Sequence, residues 1–457
     1  MAPALEDPIS IAGLDVPNRL YRAPLLECAG EGPDAVDVLR EELEPAAASG
    51  VGLVCQGASP VREDTGHVAP NMTSFADREF VRGLRPLTDA IHDHGARILA
   101  QLDHGGIRSL ETWHAAYREE RSAPEQLAVS PPPTPLKLLD AAGVLSYDAR
   151  VLSTEEVYEL AADFGRCAEH AVAAGYDGVH IAGANMGIVQ QFLSPFYNAR
   201  DDEFGGSLGE RVRFLEVVHE EIRERVGDDV PVVTKVPAET ASPPFVRSRL
   251  SVADGVRIAR RLEAVGFDAL VPVEVSVFWD MSLIRGEYPE RAWSDAQFRE
   301  GYREAFGGRI RPRLVALAHR LHARSQSFDP AWNDSFCARV KEAVSVPVLA
   351  EGGIRRRTQM DRLLATGRCD MVGMGRPFYA EPRIAARFLR PEGDETDAAG
   401  RSREGDAEAT CENCNNCTVP QVTGAPGVCR TPSVLKETGK LRKEGAYESA
   451  ETDDRGA

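Results

Sequence analysis

Two groups of residues in this chain have the types and spacing to do chemistry. The first is a cysteine cluster: Cys411, Cys414 and Cys417 at intervals of three, then eleven residues, then Cys429. Four thiolates so spaced suit a soft metal, as an iron–sulfur cluster or a structural zinc. The second is a pair of glycine turns, Gly352-Gly353 and Gly375-Arg376. Backbone N–H groups at glycine can approach an anion closely, and Arg376 adds a fixed positive charge. The plainer alternative is two ordinary turns, with an arginine that caps a helix or pairs with a carboxylate. Cys28, Cys55, Cys167, Cys337 and Cys369 are scattered among apolar neighbours and read as buried small hydrophobes.

The elements that must position these groups follow one rhythm from about residue 18 to 376. A helical stretch ends in glycine, and a short apolar run follows. Gly50 precedes 51–56, Gly95 precedes 97–102 and Gly175 precedes 177–181. Gly227 precedes 230–236, Gly266 precedes 268–273 and Gly367 precedes 370–374. Glycine suits the left-handed residue just past a helix, so these are helix stops followed by strands. The runs 19–23 and 346–350 complete eight strand candidates. Ser153 with Glu156, and Ser251 with Asp254, form capping boxes that open two of the helices. The strands are near-continuous apolar runs, the mark of parallel strands covered by helices. Eight strand–helix units predict an α/β fold, a (β/α)8 TIM barrel. A doubly wound open sheet is the alternative, weakened because no GxGxxG follows the first strand.

The barrel should occupy 1–390, with an insertion at about 275–331 that carries Trp279, Trp293, Tyr302 and Phe306. Such a long connection should fold over the barrel mouth as a lid or serve as a contact between subunits of a homo-oligomer. Residues 391–409 read as an acidic, solvated linker, 410–435 as the cysteine segment, and 436–457 as a disordered tail.

Composition excludes several classes of function. Of the 457 residues, 43% are hydrophobic and 27% charged, as in an ordinary soluble protein. Acidic residues exceed basic ones by 71 − 53 = 18, which argues against nucleic acid as a partner. No apolar run approaches the roughly 18 residues that span a membrane, and the N-terminus has no secretory signal. A cytoplasmic location follows as the expectation, and in that reducing compartment clustered cysteines mean metal before disulfides.

In such a barrel function gathers where the strands end. The polar residues expected there include Gln56 and Ser59, Gln101, Asp103 and His104, Asn185 and Gln190, Lys235, Glu351 and Arg376. The loops after the seventh and eighth strands, which hold the two glycine turns, are a common phosphate site.

These residues resemble the old yellow enzyme family (NADH:flavin oxidoreductase / NADH oxidase). The resemblance rests on Pro17-Asn18-Arg19-Leu20, on Ala23-Pro24-Leu25, and on Gln101-Leu102-Asp103-His104-Gly105-Gly106. Its strongest part is Gln191-Phe192-Leu193-Ser194-Pro195-Phe196-Tyr197-Asn198-Ala199-Arg200, continuing through Phe204-Gly205-Gly206-Ser207 to Phe214. The family is a (β/α)8 barrel that holds FMN at its mouth, so the resemblance implies FMN with NAD(P)H as co-substrate. It implies flavin contacts at Pro24, Leu25, Leu26 and Ala58, and a hydrogen bond from Gln101 to the pyrimidine edge. Lys235 stands where the family usually has arginine, a cation that stabilises the anionic reduced flavin. Gly352, Gly353, Gly375 and Arg376 would hold the phosphate.

The substrate positions depart from the family. Its usual His-x-x-His or His-x-x-Asn pair is here Ala182 and Asn185, and a frequent proton-donating Tyr is here Gly187. One carbonyl donor and the usual acid are therefore missing. Asn185 is the remaining catalytic candidate, and His180, two residues before Ala182 on the same strand face, is the candidate substitute. The plainer role for His180 and for His104 is as buried core histidines.

The cysteine segment resembles that of iron–sulfur members of the family, such as trimethylamine dehydrogenase and bacterial 2,4-dienoyl-CoA reductases. It implies a four-iron four-sulfur cluster on Cys411, Cys414, Cys417 and Cys429, ahead of zinc. The expected function is reduction of a small-molecule acceptor, an activated alkene, by NAD(P)H through FMN. The alternatives are an amine dehydrogenase that passes electrons to the cluster, or a non-catalytic redox or metal-binding barrel.

Overall fold

The computed structural model describes residues 2–109, 125–142, 147–241, 246–278, 284–324, 328–389 and 406–448. Trp279 and 391–405, for which expectations are given above, lie outside these residues. Eight parallel strands form one sheet: β3 (Leu20–Arg22), β4 (Leu53–Pro60), β5 (Arg97–Asp103), β8 (Gly178–Ile181), β9 (Val232–Glu239), β10 (Ala269–Val275), β11 (Leu349–Ala350) and β12 (Met371–Met374). Their spatial order is β10-β9-β8-β5-β4-β3-β12-β11. A parallel bridge between Leu270 and Val348 joins β10 to the start of β11 and closes the sheet into the predicted barrel. An antiparallel hairpin, β1 (Ile9–Ile11) with β2 (Leu14–Val16), precedes it. A small parallel pair, β6 (Gln126–Ala128) with β7 (Ala149–Val151), stands apart.

Strand side chains alternate between two cores. Leu53, Cys55, Leu99, Val233, Val271 and Met371 fill the barrel together with Ile11 and Val16 of the hairpin. Val54, Ile98, Ala100, Val179 and Val372 face outward and pack against the helices. Both faces are dry, which is why the strands show no polar alternation in sequence. The six predicted helix-stop glycines all have positive φ, from 63° at Gly367 to 112° at Gly266. Ser153 and Ser251 form the expected capping boxes at the helices Thr154–Ala173 and Val252–Val265.

The long motif from Gln191 to Phe214 is structural. The Gln191 amide donates to the Gly105 and Met186 carbonyls, both at 2.8 Å. Asn198 Nδ2 donates to the carbonyls of Phe192 and Phe204 at 2.7 Å. Arg200 Nη1 donates to Val129 O at 2.9 Å and Leu152 O at 2.7 Å. Phe192 stacks on Phe214 with centroids 4.2 Å apart. These ties fix the turn after β8, where substrate chemistry is expected.

The C-terminal part differs from the sequence expectation. Residues 406–409 are not a free linker: Ala409 N donates to Arg355 O at 2.8 Å, and Arg357 N donates to Ala407 O at 2.9 Å. Their small apolar residues pack on the barrel while Arg356 takes the acidic Glu408 at 2.7 Å. The tail is not disordered from 436, because Pro432–Lys443 is a helix. Val434 and Thr438, one turn apart, are buried, and Tyr447 Oη donates to the buried Glu381 at 2.8 Å. The insertion folds as the helices Glu290–Ser294, Arg299–Ala305 and Arg311–Ala323. Its Ala292, Tyr302 and Phe306 share a core with Val419 and Val422 of the cysteine segment. Among the described residues no helix is long and apolar enough to cross a membrane.

Phe192 is fully buried. Phe192→Ala should lower stability by about 3–5 kcal/mol, since it removes a stacked ring from a close-packed core. Equilibrium urea unfolding followed by far-UV circular dichroism checks this.

Candidate active site

A cavity of about 340 Å³ opens where the strands end. It collects residues predicted from widely separated parts of the chain. Pro24, Leu25 and Leu26 reach it after β3, Ala58 from β4, Gln101 from β5 and Lys235 from β9. Asn185 enters from the turn after β8, Gly352 and Gly353 follow β11, and Gly375 and Arg376 follow β12.

His180 is a correction. It does not line the cavity but lies behind Gln101, whose Nε2 donates to His180 Nδ1 at 3.1 Å. His180 pairs with Gln101 across β5 and β8, which sets its buried ring against the Gln101 side chain rather than in the cavity. Burial, with Lys235 nearby, holds the imidazole well below its usual range and therefore neutral. Its role is to orient the Gln101 amide. His104 is likewise structural: its Nδ1 accepts from Gly106 N at 3.0 Å, and its Nε2 meets Thr65 Oγ1 at 3.2 Å.

Lys235 is buried, and its Nζ donates to Glu351 Oε2 at 3.0 Å. Tyr21 Oη donates to the other oxygen of the same carboxylate at 2.9 Å. Burial and the adjacent Glu351 charge push the Tyr21 phenol well above its usual range, so it remains a donor. The cation predicted from sequence is thus balanced by an anion from the Glu351-Gly352-Gly353 turn.

The glycine turns are built for close approach. Gly352 and Gly353 have φ of 100° and 73°, and a Cβ at either would strike Trp332 at 2.7 Å. A Cβ at Gly375 would meet Leu25 at 2.8 Å. Among the described residues, the N–H groups of Gly352, Gly353 and Gly375 donate to no protein acceptor. They are donors on the cavity wall without partners, the arrangement an anion satisfies. Arg376 differs from expectation. Its guanidinium donates to Ile284 O at 3.0 Å, to Arg285 O at 2.9 Å and to the Asn415 side chain. It ties the barrel to the insertion and to the cysteine segment while still lining the cavity.

The cysteine segment is part of the site. Asn413, Thr418, Gln421 and Val422 line the cavity. Tyr379 Oη donates to Leu26 O at 3.0 Å, and Gln421 Nε2 donates to the same carbonyl. Cys411 and Cys417 are buried, Cys414 and Cys429 partly exposed. Burial pushes the Cys417 thiol up to about 12, offset by Arg376 and reinforced by the other three cysteines, so the four lie within electrostatic reach of one another. The donor chemistry fits a soft metal. The geometry is not a closed ligand shell: among the described residues no three or more His, Cys, Asp or Glu side chains stand as a metal site. Cys414 Sγ instead meets Thr431 Oγ1 at 2.9 Å.

Asp103 and Glu351 both line the cavity, yet composition and spacing assign neither a role. The one signal is a carboxylate at the end of an otherwise apolar strand. Burial pushes Asp103 up to about 6, against the His104 N–H and the fields of Arg108 and Lys235.

The model of the NADH:flavin oxidoreductase / NADH oxidase family matches residues 4–254. The chain belongs to this family. FMN is the family's cofactor, and the cavity lies at the mouth of the barrel. The chain is 28% identical over 386 residues to a metal reductase of Desulforamulus reducens, covering 84% of this chain and 48% of that protein. It is 27% identical over 419 residues to a cinnamate reductase of Clostridium sporogenes, covering 88% and 55%. It thus spans about half the length of these relatives. A solved 2-naphthoyl-CoA reductase complex superposes with a TM-score of 0.72 at 21% identity, over 96% of this chain and 58% of that one, and shares the fold.

In FMN-loaded protein, Lys235→Met should lower the flavin potential and slow its reduction by nicotinamide on the order of tenfold to a hundredfold, the worth of a charged hydrogen bond. Glu351→Gln should raise the potential, because it frees the Lys235 charge. Spectroelectrochemistry and stopped-flow reduction check both.

Proposed function

We propose that the chain is an FMN-dependent oxidoreductase that takes a hydride from NAD(P)H and reduces a small-molecule acceptor, an activated alkene of the enone or enoate class. The observation that carries this reading is the single cavity holding Gln101, Lys235, Asn185 and three glycine N–H groups without protein acceptors. Those glycine N–H groups, with Arg376, would hold the FMN phosphate. Pro24, Leu25, Leu26 and Ala58 would lie against the ring, and Gln101 would bond its pyrimidine edge. Bound FMN supplies hydride transfer in both half-reactions. Lys235 holds positive charge beside the ring, and Asn185 offers a donor to the acceptor's carbonyl oxygen. Ala182 offers none, and removing one such donor typically costs on the order of a hundredfold or more. The name of the cinnamate reductase relative supports the enoate class.

Cys411, Cys414, Cys417 and Cys429 are proposed to hold a four-iron four-sulfur cluster, ahead of zinc, on their spacing and their mutual proximity. The contact of their segment with the cavity wall favours, as a second reading, an amine dehydrogenase that hands electrons to the cluster. A cytoplasmic location and self-association through the insertion complete the proposal.

Denatured protein should release FMN and not FAD. Correctly folded protein that takes up no flavin on reconstitution sinks the main reading. Cyclohexenone should be reduced slowly while flavin reduction by nicotinamide is normal, and Ala182→His should raise the enone half-reaction by about tenfold or more. Rapid cyclohexenone reduction by the parent would mean another donor replaces position 182. Anaerobic purification should yield iron and acid-labile sulfide in equal amounts. Zinc, or no metal, in that preparation overturns the cluster.

A further inference from the structure

We propose that Asp103 delivers the proton that completes alkene reduction in this cavity, an inference that rests on the reading above. The family's frequent tyrosine donor is absent at Gly187, and the structure places a carboxyl group beside that position. A Cβ at 187 would lie 2.5 Å from Asp103 Oδ1. The carboxyl group thus stands beside the point where a side chain at 187 would begin. Asp103 ends β5 and lines the same cavity as Asn185, Ala182 and Lys235. It is buried, with 7% of its surface exposed.

Its hydrogen bonds leave the proton in place. His104 N donates to Oδ1 at 2.8 Å, which leaves Oδ2 to carry the acidic hydrogen. The charged groups that face it are Arg108, from the turn after β5, and Lys235, from β9. His104 beside it is neutral, held down to about 3 by burial. Burial outweighs both cations and moves the carboxyl up to about 6. About a tenth of the molecules are then protonated at pH 7, and an acid titrating near the working pH is suited to general catalysis.

The step balances. With hydride supplied to the β-carbon, the Asp103 O–H bond breaks and a C–H bond forms at the α-carbon from the electron pair of the former double bond. Asp103 is left as the carboxylate and regains its proton from solvent. The alkene has gained one hydride and one proton.

The test compares FMN-loaded parent, Asp103→Asn and Asp103→Glu in the oxidative half-reaction with cyclohexenone and with cinnamate, from about pH 5 to 9. Asp103→Asn keeps an acceptor for the His104 N–H. It should slow alkene reduction by about a hundredfold to ten-thousandfold, and far more than it slows reoxidation by a quinone, which needs no proton on carbon. The parent rate should fall as pH rises through about 6, where the acid is lost; the Asn variant should lose that dependence, and Asp103→Glu should restore part of the rate. Difference infrared spectroscopy of flavin-free protein should find a buried carboxyl titrating near that pH in the parent and missing in Asp103→Asn. An Asn variant within about threefold of the parent, with an unchanged pH profile, overturns the inference and leaves the proposed function standing. A parent that reduces no activated alkene overturns both.

Discussion

Leu270 donates its backbone N–H to Pro347 O at 3.0 Å, and with the Leu270–Val348 bridge this contact closes the barrel. Everything at the mouth depends on that closure. In an open sheet, Lys235 of β9 and Glu351 after β11 would sit several strands apart. Closed, the sheet brings them to 3.0 Å. Parallel strands also place all eight C-terminal ends on one rim, so residues from position 24 to position 376 share one cavity.

The rim is electrically mixed. Lys235 and Arg108 supply positive charge, and Glu351 and Asp103 supply carboxyl groups with different partners. Glu351 is held by a lysine and a tyrosine, both within 3.0 Å. Asp103 has a backbone N–H at 2.8 Å, and burial is the largest influence on its titration.

The cysteine segment and the insertion form a second layer over one side of the mouth. Arg376 is the joint between them, with acceptors on Ile284, Arg285 and Asn415. Asn71 Nδ2 adds a tie to Gly424 O at 3.1 Å. These bonds make a segment that follows the barrel in sequence into part of the cavity wall. They also bring two of the four thiols to within electrostatic reach of that wall, since Arg376 acts on Cys411 and Cys417.

By itself the sequence determined the barrel and a part of the cavity lining. Helix stops at Gly50, Gly95 and Gly266 are chemical necessities of chain direction, and an apolar run such as 230–236 must be covered on both faces. Backbone turns such as Gly352-Gly353 are equally legible, because only glycine tolerates their φ beside Trp332. Side-chain partnerships were not legible. His180 and Gln101 are separated by 79 residues, and only the pairing of β5 with β8 makes the histidine a support beneath the amide. The same holds for Asp103 over Gly187 and for Arg376 against Asn415. Local conformation follows from residues near in sequence, whereas which charge meets which is decided by distances that exist only once the barrel has closed.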